Sequence, residues 1–209
     1  MVPSARMILA SESPRRRELL AAVGVAFRVV PSGVDEIPRP GESPSRFVRR
    51  AALDKGEAVA ALHPSSFVLS ADTIVVADGR ILGKPRDRAE ARKMLSRLAG
   101  REHRVYTAIC LLCRERGFRD IGTEVTRVRF RPLTGAEVAA YARTGECDDK
   151  AGGYAAQGAG VLLIDRIAGS FSNVVGLPMT RVVTMLARAR LIRVTRSGPA
   201  WYAYAGGAR

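Results

Sequence analysis

The sequence predicts a mixed α/β fold: a mixed β-sheet flanked by helices, in two lobes with a central cleft. Three observations carry this. Short apolar, β-branched runs alternate with amphipathic helical runs through the first half of the chain. Two long strand-like segments, 103–113 and 122–130, then follow each other across a polar turn, Arg114 to Asp120. Further helices with clear start signals come after them. No internal repeat is evident. The 209 residues, 47% of them hydrophobic, suit one domain over 1–195, with a Gly/Ala-rich tail at 196–209 expected to fray.

The first strand ends at Ile8-Leu9 and delivers the chain onto Ser11-Glu-Ser-Pro-Arg-Arg-Arg17. Ser13 is placed to cap a helix and Pro14 stands where a first-turn proline is tolerated. A helix start is an anion site, and here two hydroxyls and three arginines crowd it, a set that suits a phosphate. The plainer alternative is a capped surface helix with solvated arginines. A second short strand is expected over 26–31, followed by the turn-rich loop 32–41 carrying Asp35 and Glu36. Ser43-Pro44 restarts a helix on which Arg50 and Lys55 fall.

Phe67 to Val76 is the strongest strand signal, interrupted by Asp72-Thr73. A carboxylate inside such a run needs an open site, a cation or hydrogen-bond partners. Asp78-Gly79 reads as a hairpin turn that brings Lys84 back toward that strand. Asp87 and Glu90 are spaced as a capping box closed by Gly100, and Thr134 with Glu137 as a second. Residues 126, 128 and 130 are expected inward, against outward Arg127, Arg129 and Arg131. Gly145 to Gly160, with two glycine clusters around an acidic-plus-lysine patch and Gln157, is a candidate ligand-clamping loop without Walker A or G-x-G-x-x-G spacing. Val161 to Ile164 reads as a short buried strand, 169–178 as a polar loop and 179–189 as the last helix.

The net charge of +14 invites nucleic acid as a partner, yet the 34 Lys and Arg residues are spread along the chain without an aromatic-interleaved stripe. A polyanionic small molecule fits the charge equally well. Cys110 and Cys113 have C-x-x-C spacing but sit in a strand, where residues three apart face opposite ways, so reduced buried thiols are expected. No apolar run approaches the ~18 residues of a membrane span, and the first residues lack a secretory h-region, so a cytoplasmic protein is expected.

Taken together, Leu9-Ala-Ser-Glu-Ser-Pro-Arg-Arg, Ser70-Ala-Asp-Thr-Ile-Val, Gly83-Lys-Pro, His103-Arg-Val-Tyr-Thr, Asp149-Lys-Ala-Gly-Gly-Tyr-Ala-Ala-Gln-Gly and Ser170-Phe-Ser-Asn-Val-Val-Gly-Leu-Pro resemble the Maf family of nucleoside triphosphate pyrophosphatases. They occur in family order across residues 8–180. The resemblance implies an elongated mixed-sheet fold similar to that of inosine triphosphate pyrophosphatases, commonly a homodimer. It implies hydrolysis of a nucleoside triphosphate to monophosphate and pyrophosphate with a divalent cation, Mg²⁺ or Mn²⁺. The Asp-Lys-Ala-Gly-x-Tyr-x-x-Gln-Gly pattern looks like the dTTP/UTP-preferring branch, in a house-cleaning role.

On that resemblance Asp72 is the proton acceptor, and Arg15, Thr73 and Gln157 set base preference. Ser11, Arg16, Lys55 and Lys84 would neutralise phosphate charge. Glu36 would join Asp72 on the cation, and the Gln157 amide matches the O4/N3–H edge of uracil or thymine. Two departures stand out: Gly56 in place of a small alanine after the lysine, and Arg17 extending the arginine pair. The alternative function, from another class, is a nucleic-acid- or protein-binding regulator of septum formation without turnover.

Overall fold

The computed structural model describes residues 7–195 and 202–204. The elements in chain order are β1 (Met7–Leu9), α1 (Pro14–Ala21), β2 (Arg28–Val29), α2 (Pro44–Leu62), β3 (Phe67–Ala77), β4 (Arg80–Leu82), α3 (Arg88–Leu98), β5 (Glu102–Cys113) and β6 (Phe118–Phe130). After them come α4 (Gly135–Arg143), β7 (Ile164–Ala168), α5 (Phe171–Val175), α6 (Met179–Arg188), β8 (Ile192–Val194) and β9 (Tyr202–Tyr204). Seven strands form one mixed sheet in the order β2-β1-β3-β5-β6-β7, with β4 on β3. β1 is parallel to both β2 and β3, whereas β3–β4 and β6–β7 are antiparallel. The sheet is mixed and flanked by helices, as the sequence predicts.

The chain divides into two compact units, and the border falls within β3, β5 and β6. The first unit holds residues up to Asp72, 108–123 and 176 onward. Here both sheet faces are covered. Leu9, Leu69, Ile109 and Leu111 pack with Leu20 of α1 and Val182, Met185 and Leu186 of α6. The alternate residues Ile8, Val68, Cys110 and Leu112 pack with Val59 and Ala60 of α2. Strand periodicity explains the sorting: neighbours along a strand face opposite ways. The second unit holds 73–107 and 124–175. Val105, Val128 and Phe130 pack with Leu95 and Leu98 of α3 and Val138 and Tyr141 of α4. On the other register Arg104, Arg127 and Arg129 stay exposed.

Ser13, Ser43 and Asp87 cap α1, α2 and α3, and Thr134 with Glu137 forms a complete capping box on α4. At α3 only half of the expected box is made: Asp87 accepts from Glu90 N, but the Glu90 carboxylate is taken by the Arg86 backbone and guanidinium. The hairpin turn is as predicted, with both Asp78 and Gly79 at positive φ (50° and 72°), the type I′ signature.

Four expectations change, and the first is the polar loop at 169–178, which carries the short helix α5 with its start held by Ser170 Oγ accepting from Asn173 N. The second strand shrinks to Arg28–Val29, because it pairs only with the short β1 and lies at the sheet edge. The turn after β5 is only Arg114 to Gly117, so β6 begins at Phe118. Most clearly, 158–163 is a 3₁₀ segment with Val161 and Leu162 exposed, not a buried strand. The Glu146 carboxylate accepts from Ala159 N and Gly160 N, holding the backbone in a turn that a strand could not make. The tail expected at 196–209 lies outside the described residues apart from 202–204, which pair with β8. No helix among the described residues is long and apolar enough to cross a membrane.

Candidate active site

In the first unit, β1, β3 and α2 bring charge together. Asp72, 1% exposed, lies where the apolar run of β3 breaks, and Lys55, 7% exposed, reaches it from α2. Lys55 Nζ donates to Asp72 Oδ1 at 2.9 Å and also pairs with the Glu36 carboxylate. A buried lysine between two carboxylates satisfies the need that the strand sequence announces, a partner for Asp72. Asp72 Oδ2 is buried, and no amide, ammonium or guanidinium donor among the described residues reaches it. Burial alone would raise the Asp72 carboxyl, but the Lys55 charge, hydrogen bonding with Glu36 and Lys55, and the Arg16 charge outweigh it and hold Asp72 below its ordinary range. Burial and then the neighbouring Asp72 charge push Glu36 the other way, above the usual carboxylate range. Two carboxyls with opposed proton affinities share one lysine.

The arginine-rich helix start meets the same strand. Arg16 Nε donates to Gly176 O at 2.8 Å, and its NH1 donates to Ala71 O at 2.9 Å and Ser11 Oγ at 3.2 Å. Arg16 is therefore a strut joining three segments as well as a charge near Asp72. Ser11 Oγ also accepts from Ser13 N. Arg15 is half-buried and Arg17 exposed. Arg50, left open by the helical periodicity, turns to the loop that follows Glu36: it bonds Ile37 O at 3.0 Å and Glu42 at 2.7 Å. The hydrogen bond from Arg50 holds Glu42 down at about 2. Gly56, one residue after Lys55, is there for space: a Cβ would stand 2.8 Å from Ser70 Oγ and 3.0 Å from Leu112.

Thr73, Lys84 and Gln157 belong to the second unit. Antiparallel pairing of Val75 with Leu82 runs the chain after β4 back along β3, carrying Lys84, which is exposed. Gly152 N donates to Gly83 O at 2.9 Å, so the Lys84 segment and the glycine-rich loop are tied together. The loop is a built object. Tyr141 Oη accepts from Ala155 N, Glu146 holds Ala159 and Gly160, and Gly160 is obligatory because a Cβ there would lie 2.0 Å from Ala155 O. Gln157 projects from it, exposed.

Residues that motif reading left without a role, joined by Thr73, hold this unit together. His103, 2% exposed, meets Tyr154 Oη at 2.8 Å through Nε2, with Phe130 packed edge-on against both rings. Burial drops His103 to about 4, so it is neutral. Thr73 Oγ1 lies 3.0 Å from Thr107 Oγ1, which in turn donates to Asn173 O at 3.1 Å. Asn173 Nδ2 donates to Val105 O and Thr126 Oγ1. A signal was available: His103, Val105 and Thr107 share one strand face, so two polar side chains stand on the core register.

A lysine-bridged carboxylate pair near an arginine-fixed helix start is an arrangement chemically able to attract an anion and to take up a proton. The family model described as Maf-like protein matches residues 6–189, and the chain belongs to the Maf family. It is 47% identical over 180 residues to a dTTP/UTP pyrophosphatase of Syntrophomonas wolfei, covering 86% of this chain and 95% of that one. It is 50% identical over 184 residues to one of Symbiobacterium thermophilum (88% and 93% covered), and 48% over 185 residues to one of Myxococcus xanthus (88% and 93%). Among solved structures, the Staphylococcus aureus Ham1 protein is similar at TM-score 0.43 and 14% identity over 59% of this chain and 71% of that one, a likeness too slight to bear weight.

Proposed function

We propose that the protein hydrolyses dTTP and UTP to the nucleoside monophosphate and pyrophosphate. The observation that carries the reading is the Glu36–Lys55–Asp72 cluster, found in a chain about half identical to proteins called dTTP/UTP pyrophosphatases. Water attacks the α-phosphorus, the bond to the bridging oxygen breaks, and pyrophosphate leaves. Asp72, kept ionised by Lys55, orients the water and accepts its proton. Ser11, Arg16, Lys55 and Lys84 meet the phosphates and stabilise the charge that gathers on the leaving group. Arg15, Thr73 and Gln157 choose the base.

The donor set fits a divalent cation. Asp72 Oδ2 is a buried oxygen that no amide, ammonium or guanidinium donor reaches among the described residues, and the Glu36 carboxyl stands against the same lysine. Hard oxygen donors of this kind suit Mg²⁺ or Mn²⁺. Among the described residues no group of three or more His, Cys, Asp or Glu could hold a metal ion, so substrate phosphates and water would complete the coordination. When bound, such an ion supplies Lewis-acid polarisation of the phosphoryl oxygens. The family resemblance adds a homodimer and a cytoplasmic setting to the reading.

Pyrophosphate release from a panel of nucleoside triphosphates with Mg²⁺ or Mn²⁺ tests it. Preferential turnover of dTTP and UTP, lost in a folded Asp72→Asn variant, is the expected result. No turnover across the panel by folded protein sinks the enzyme and moves the septum regulator to the front.

A further inference from the structure

Thr73 is the one position of β3 that is not buried, and it follows Asp72 directly. Its hydroxyl carries one proton, as does that of Thr107, 3.0 Å away. Which hydroxyl donates is decided one step further along. Thr107 is fully buried, and its Oγ1 lies 3.1 Å from the carbonyl oxygen of Asn173, a group that can only accept. If Thr107 gave its proton to Thr73, two oxygens would face each other inside the core with no hydrogen between them, at the cost of an unmet buried acceptor. The proton of Thr107 therefore points to Asn173, and the contact with Thr73 is left for the proton of Thr73.

Asn173 is itself fixed. Its Nδ2 donates to Val105 O at 3.1 Å and Thr126 Oγ1 at 2.9 Å, and Thr126 spends its own proton on Ser170 O at 3.1 Å. The chain of donors ends on backbone carbonyls at each branch, so its direction cannot reverse without stranding one of them. The consequence reaches the half-buried end: Thr73 Oγ1, its proton committed inward, meets any further partner as an acceptor.

We propose that Thr107, acting with the Asn173 carbonyl, polarises Thr73 into a fixed acceptor that selects a base presenting a ring N–H and rejects one presenting a lone pair there. Uracil and thymine carry N3–H; cytosine carries an N3 lone pair. Thr107 is thus a positioning residue for base choice, acting through Thr73. This rests on the pyrimidine triphosphatase reading above and sharpens it.

The test is the ratio of kcat/KM for UTP over CTP in wild type, Thr107→Val and Thr107→Ser, measured by pyrophosphate release, together with neutron diffraction from perdeuterated wild-type crystals. Valine keeps the shape of threonine without the hydroxyl, so Thr73 can turn its proton outward. The UTP preference is expected to shrink about tenfold, with the KM for CTP falling, the scale of one hydrogen bond made or mismatched. Serine restores the acceptor and the wild-type ratio. A merely structural role for Thr107 would lower both substrates together and leave the ratio alone; an unchanged ratio in Thr107→Val overturns the proposal. The neutron map should show deuterium between Thr73 and Thr107 belonging to Thr73; deuterium on Thr107 aimed at Thr73 overturns it too. Wild type that turns over neither nucleotide defeats the pyrophosphatase reading, while the neutron map still decides the direction of the relay.

Discussion

The two units share strands yet solve burial differently. In the first unit β5 reads Ala108-Ile-Cys-Leu-Leu-Cys113, apolar without a break, and helices cover both faces. In the second, the same strand reads Glu102-His-Arg-Val-Tyr-Thr107, alternating, and the Arg104 register is wet. A continuous apolar run needs two covering layers, an alternating one needs a single layer. The difference extends to the chemistry. Where both faces are covered, a charge can enter only with a counter-charge, and Asp72 arrives with Lys55. Where one face is open, the buried polar groups are neutral: His103, Thr107, Thr126 and Asn173.

Substitutions should separate the two regimes. Lys55→Met leaves Asp72 buried without its cation, with the exposed Glu36 carboxyl beside it. Folding should weaken by about 3–5 kcal/mol in urea unfolding, and turnover should be lost. If stability holds, the first unit does not depend on its counter-charge. Gly160→Ala forces a Cβ to within 2.0 Å of a backbone carbonyl, so the loop must shift; about 3 kcal/mol of destabilisation and a loss of base selectivity are expected. A stable, selective variant would show that the loop is softer than its contacts imply.

His103 offers a pH test of the neutral regime. Its proton affinity falls from 6.5 in the unfolded chain to about 4 when folded. The unfolded state therefore takes up the proton first, and stability is lost as pH falls from about 6.5 toward 4. The share due to His103 is about 3 kcal/mol. Replacing the ring by phenylalanine should remove this slope while costing about 1 kcal/mol at neutral pH for the Tyr154 hydrogen bond. A slope that survives in His103→Phe would assign it to the carboxylates instead. The smallest effect concerns packing beside Lys55. Gly56→Ala should cost about 1–2 kcal/mol, and Ser70→Ala in the same chain should recover part of it, because the serine oxygen is the nearest obstacle.

Most of the architecture was legible because its signals are local. Caps at Ser13, Ser43 and Thr134, the Asp78-Gly79 turn and the inward register of 126, 128 and 130 each depend on a few neighbouring residues. Failures came where a distant side chain decided the backbone. Val161 to Ile164 has strand composition, yet Glu146, far back in sequence, turns the preceding amides into a 3₁₀ segment. Glu90 has capping-box spacing, yet Arg86 takes its carboxylate. Among the candidate site residues, Asp72 announced a need for partners, but nothing near it on its strand named Lys55 of α2 as the one that answers. Thr107 and Asn173 stayed silent because their roles lie in hydrogen-bond direction, which composition does not encode.

The back-to-back thiols of β5 carry a consequence for how the protein ages. Cys110 packs with α2 and Cys113 with α6, on opposite faces of one strand. Three strand residues span about 10 Å, beyond the reach of a disulfide. Burial pushes the Cys110 thiol up to about 12, so the thiolate that oxidants attack is all but absent. Cys147, buried in the second unit, is raised in the same direction. Thiols stored this way are kept from disulfide exchange when the surroundings turn oxidising.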